Sequence, residues 1–214
     1  MGQSESLEKR EPTTTRLIFV WLFGGIIEWI IQHFNQWLSP TTASVNLPFE
    51  AAFGHACAAI FFLLKWPEMF SASRMHPRLA DLAIGTPTGY LMANIAAIMV
   101  GRSNFEGGWI WTNPHRQLAF ISAVLIFPAA EELIYRGAIL SSLMDRTSAP
   151  WAVLITTMAA TVMHDTWRVA FPNQLLLCAV YFVCRRSLPA SAIAHVVANA
   201  FVFAPGLLIG FYMK

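Results

Sequence analysis

Six residues of this chain combine types and spacings that can do chemistry: Glu131 and Glu132 with Arg136, His164, and His195 with Asn199. On a helix, residues four apart share a face and adjacent residues sit about 100° apart. Glu132 therefore lies over Arg136, with the acid N-terminal to the base, the better order for such a pair. Glu131 points elsewhere and has no local cation. A carboxylate kept dry without a counter-ion favours taking up a proton, as a general base toward water must near neutral pH. The same trio also fits a buried charge network that only locks helices together. His195 and Asn199 project from one face and can both donate to one small target, as an oxyanion site requires. Their other reading is an interhelical clamp worth about 1 kcal/mol. His164 alone reads as a helix-end histidine with its hydrogen bonds met. Together the six exceed what a clamp uses.

The elements that must position them follow from composition. Charged residues make up 12% of the 214 residues and apolar ones 56%, with a mean hydropathy of +0.52. A soluble domain carries about 25% charged residues. This chain cannot cover a water-facing surface, which excludes a soluble globule, a disordered tail and a nucleic-acid binder built on a basic stripe. The net charge of +2 implies no polyanionic partner. Cys57, Cys178 and Cys184 show no CxxC or metal spacing. The expected fold is all-α, a polytopic transmembrane bundle of about seven (six to eight) spans of roughly 20 apolar residues. The spans are placed near 17–38, 49–66, 79–100, 117–143, 151–166, 172–185 and 188–212, with kinks at Pro128 and Pro205. Residues 1–16 read as a polar N-terminal tail, 17–114 as N-terminal transmembrane helices and 115–214 as the helical core bearing the six residues. The opening MGQSES also fits a myristoylation pattern that matches often by chance. No signal-peptide cleavage site follows the first apolar run. Lys9, Arg10, Arg16, Lys65, Arg74, Arg78, Arg146, Arg185 and Arg186 fall on one side of this topology and Arg102, Arg116, Arg168 and Lys214 on the other, and nine against four favours an N-terminus in the cytoplasm. Trp21, Trp37, Trp66, Trp109, Trp111 and Trp151 fall near helix ends and read as interface anchors.

Within such a chain each ionisable group at membrane depth costs roughly 2.5–3.5 kcal/mol and calls for a partner or a purpose. At this point the chain resembles a known family. Residues 128–137 (PAAEELIYRG) look like the EExxxR signature of the CPBP intramembrane proteases, which include type II CAAX prenyl endopeptidases and bacteriocin-processing or immunity proteins. His164 stands where the FxxxH histidine is expected, His195 to Asn199 matches HxxxN, and the likeness covers about 115–205. Ala160 occupies the position where the family has Phe, which bears on cavity shape more than on chemistry. The resemblance implies that Glu131 and His164 hold and activate a water, with Glu131 as general base. It further implies that His195 and Asn199 stabilise the oxyanion, while Glu132 and Arg136 order the site.

No cofactor is expected, although two His with two Glu are in principle a zinc donor set. The HExxH and GxGD motifs of other intramembrane proteases are not found. The expected partners are the lipid bilayer and a membrane-anchored or lipidated peptide or protein substrate, with no nucleic acid. Two rival readings stay open: a non-catalytic polytopic scaffold or immunity-type protein, and a transporter whose polar cluster is an ion path. Glu28, His33, His55 and Asp81 read as interhelical hydrogen-bonding groups, with Glu28 and His55 also candidates to line a substrate groove.

Overall fold

The computed structural model describes residues 54–61, 63–64, 75–100, 116–162, 164 and 167–212, and every regular element among them is helical. α1 spans Leu79–Val100, α3 Ala149–Thr161, α4 Trp167–Val183 and α5 Leu188–Tyr212. Between α1 and α3 runs α2, a continuous helical path from Arg116 to Met144. The helical stretch 54–61 joins the core through Ala58 and Ala59, beside Ala130 of α2, Ala160 of α3 and Tyr181 of α4. Ala160 is fully buried there, so small side chains fill the place where an aromatic ring was expected.

The α2 helix departs from the uniform period assumed in the sequence. Two π-helical stretches, Ser122–Ile126 and Leu133–Leu140, flank a short α segment, Phe127–Glu132. Such π turns gather at functional sites. Here the first has a local cause. Phe127 donates its N–H to Ser122 O, five residues back, and residue 128 is proline, which has no N–H. Neither residue then donates to Ala123 O, and the expected kink at Pro128 is taken up as a π turn.

Several boundaries move. The α3 helix starts earlier and stops sooner than 151–166, because Pro150 suits a first turn and the chain turns at Val162, with His164 N–H on Thr161 O. The α4 helix runs through Pro172 instead of starting there. It ends where Arg185 and Arg186 take left-handed φ values of 58° and 63°, with Arg186 N–H on Tyr181 O at 2.6 Å. Of the expected spans, 17–38 lies outside the described residues, and 49–66 is described at 54–61 and 63–64.

Beside the apolar core, charged and polar side chains are buried while large apolar ones face outward. Glu131, Arg136, Asp81, Thr156, Thr157 and Ser191 are fully buried, whereas Leu79 is 85% and Ile98 82% exposed. Trp151 and Trp167, at the starts of α3 and α4, are also exposed, as interface anchors are. Apolar side chains outward and paired polar groups inward is what hydrocarbon surroundings favour. Among the described residues, Leu79–Met99 is long and apolar enough to cross a membrane; Ala149–Thr161, Trp167–Val183 and Leu188–Ala204 are apolar but shorter.

The α1 and α5 helices touch backbone to backbone at Gly85 and Gly89. A Cβ at Gly85 would meet Ala190 O at 2.7 Å, and one at Gly89 would meet Ala194 O and, at 2.7 Å, Val197 Cβ. This small-xxx-small contact fixes the register of the helix that carries His195. Gly89→Val is expected to cost about 1–3 kcal/mol through overpacking, read as a lower unfolding midpoint in detergent; an unchanged midpoint would contradict the contact. At the start of α1, Arg78 ties Asp81 (3.1 Å) to the Cys184 carbonyl at the end of α4. Asp81 thus serves helix packing.

Candidate active site

The α segment of α2 presents both acids to the bundle interior. Glu132 Oε1 accepts from Arg136 Nη1 at 3.0 Å, the i,i+4 pair expected from spacing. Its other partner was not legible from spacing: the same oxygen lies 3.0 Å from His195 Nδ1 of α5. Arg136 is held on its far side by Gln174 of α4, whose Oε1 accepts from Nη2 at 2.5 Å and whose main-chain O accepts at 2.9 Å. Gln174 escaped the sequence reading, although an uncharged amide inside an apolar helix was a signal of the same kind as the charged groups.

Glu131 has neither of these supports. Both of its oxygens are buried and lack a hydrogen-bond partner. Oε1 lies 4.0 Å from His164 Nε2 and Oε2 lies 3.6 Å from His195 Nε2. These separations exceed a hydrogen bond, yet a water about 2.8 Å from carboxylate and imidazole together spans them. His164 is brought here by the turn after α3, where its Nδ1 sits 2.8 Å from Ala160 O. A carbonyl only accepts, so that Nδ1 carries the proton. His195 Nδ1 likewise donates to the Glu132 carboxylate. Both rings therefore turn Nε2 toward Glu131, an acceptor in the neutral ring and a donor in the charged one.

Asn199 has one of its two amide hydrogens engaged outside the acid cluster. Its Nδ2 donates to Ala123 O at 2.9 Å, the carbonyl for which the Pro128 turn leaves no main-chain donor. One amide hydrogen thus ties α5 to α2 about two turns before the acids, and the second stays available. Asn199→Ala is expected to cost about 1–3 kcal/mol by leaving that carbonyl unmet. Pro128→Ala, which restores an N–H there, should reduce the cost in a double-mutant cycle of unfolding midpoints; strict additivity would refute the coupling.

Around the acids, His55 packs edge-on against Phe127, with ring centroids 4.7 Å apart. Phe127 is one turn before Glu131, so His55 borders the site. Asp165, Glu28 and His33 lie outside the described residues. Among the described residues no three His, Cys, Asp or Glu side chains form a group that could hold a metal ion. Chemically, the arrangement offers a buried base without a partner, two imidazoles able to accept or donate, and an ion pair fixing one of them.

Residues 113–201, which carry all six of these side chains, match the family model described as type II CAAX prenyl endopeptidase Rce1-like. No curated protein and no solved structure matches the chain.

Proposed function

We propose, from the match of residues 113–201 to the Rce1-like family of type II CAAX prenyl endopeptidases, that this chain is an intramembrane endopeptidase. It hydrolyses a peptide bond near a membrane-anchored or lipidated segment. The observation that carries this reading is the Glu131 carboxylate, buried, unpartnered and facing two imidazole nitrogens at 3.6 and 4.0 Å.

In this mechanism Glu131 and His164 Nε2 hold a water by its hydrogens, which leaves an oxygen lone pair for the scissile carbonyl. As the O–C bond forms, the proton passes to Glu131. The oxyanion meets His195, protonated at Nε2 and backed at Nδ1 by the Glu132 carboxylate, and the free amide hydrogen of Asn199. Glu131 then returns the proton to the leaving nitrogen, the C–N bond breaks, and a carboxylic acid, which ionises on release to water, and an amine depart. Arg136 balances Glu132 throughout. No step needs a metal ion.

The substrate class follows the family: a prenylated C-terminal tail, its lipid held among the exposed apolar side chains of the bundle. The chain is read as a multi-pass integral membrane protein of about seven spans with its N-terminus in the cytoplasm. Purified protein in nanodiscs should release the C-terminal tripeptide from a farnesylated CAAX peptide, seen by mass spectrometry. It should cut the unprenylated peptide at least 10-fold more slowly and keep its rate in 1,10-phenanthroline. Intact farnesylated peptide after prolonged incubation would overturn the assignment, and loss of rate restored by zinc would overturn the metal-free mechanism.

A further inference from the structure

We propose that Gln174 is a positioning residue for the reaction, holding Arg136 from α4 so that Glu132 presents its oxygen to His195 Nδ1. The inference deepens the protease reading and rests on it. It starts from a continuous line of contacts. Gln174 Oε1 and O both accept from Arg136 Nη2, Arg136 Nη1 donates to Glu132 Oε1, and that same oxygen lies 3.0 Å from His195 Nδ1. His195 Nε2 then faces Glu131. Every member of the line is buried, with Gln174 at 2% and Arg136 at 0% exposure.

The residue type matters here. Arg136 has its two terminal nitrogens on two helices, and only one of the partners carries charge. A neutral amide at position 174 orients the guanidinium fork without drawing its charge off Glu132. A carboxylate there would compete for Arg136, and an apolar side chain would leave one of the two Nη2 acceptors missing. In a dry interior such a loss is felt along the whole network. Gln174 touches neither Glu131 nor the space before it, so it acts through Arg136.

The groups facing this network come from every element packed on it. They are Glu131 and Glu132 on α2, His164 beyond α3, Cys178 on α4, His195 on α5, and His55 bordering Phe127. Added negative charge raises the proton affinity of the acids and imidazoles alike. Gln174→Glu is therefore expected to move the acid limb of the kcat–pH profile to higher pH. Gln174→Leu is expected to lower kcat about 10-fold at the optimum with KM within 2-fold, and Gln174→Asn to recover part of that loss.

The test uses the full chain in nanodiscs with the farnesylated peptide, rates being expressed per folded molecule, with Glu131→Gln run in parallel. Gln174→Glu keeps an acceptor for Arg136 and so reports even where Gln174→Leu does not fold. A Gln174→Glu profile superimposable on wild type would overturn the proposal and leave the protease reading standing. Glu131→Gln cleaving at the wild-type rate would instead overturn the protease reading beneath it.

Discussion

Glu131→Gln is expected to lower cleavage of a prenylated peptide by roughly 10³-fold, within the range for losing a general base, while leaving the folded yield intact. The substitution is isosteric, but an amide cannot take the proton of an attacking water. Its effect on stability distinguishes a catalytic group from a structural one. Glu131 makes no hydrogen bond, and its nearest imidazole nitrogens stand 3.6 and 4.0 Å away, so removing its charge takes away a desolvation cost and breaks no hydrogen bond. Thermal unfolding in detergent should show a midpoint equal to or above wild type, the trade between stability and activity common at active sites. A lowered midpoint with retained cleavage would make Glu131 a packing residue.

Arg136→Met is expected to act the other way, costing about 3–5 kcal/mol because it leaves Glu132 buried without its cation. Four hydrogen-bonding arrangements meet at or beside this side chain: Glu132, both acceptors of Gln174, and, through Glu132, His195. Ser141 Oγ also donates to the main-chain O of Arg136 at 3.0 Å, and Tyr181 of α4 lies 3.3 Å from that hydroxyl. The variant should therefore show a depressed midpoint together with a loss of cleavage of at least 100-fold. A stable, active Arg136→Met protein would remove the network from the mechanism.

Much of this site was legible because its logic is local. The Glu132–Arg136 pair and the exclusion of Glu131 from it follow from a four-residue spacing, and the π turn at Leu133–Leu140 does not break the pair. The long apolar runs gave α1 and α5 with little error. What was hidden depends on register between helices. His195 meeting Glu132, Asn199 meeting Ala123 O and Gln174 meeting Arg136 each join different helices, and no period within one helix encodes them. The Gly85–Gly89 contact that sets part of that register was equally silent, since its partners Ala190 and Ala194 are unremarkable alone. Pro128 was read as a kink because the rule for proline in a helix names a missing bond. It does not say that a side chain from α5 takes up the carbonyl that bond would have met. Pro172 misled in the same way, the helix continuing through it.

The claim beneath all of this is that water, activated between Glu131 and the two imidazoles, attacks the peptide bond directly. A single turnover in H₂¹⁸O with enzyme in excess over farnesylated peptide, followed by mass spectrometry of product and protein, decides it. The new carboxyl group should carry one heavy oxygen, the protein mass should stay constant throughout, and Glu131→Gln should yield no labelled product on the same timescale. A transient gain in protein mass equal to an acyl fragment, or labelling by Glu131→Gln at the wild-type rate, would contradict it.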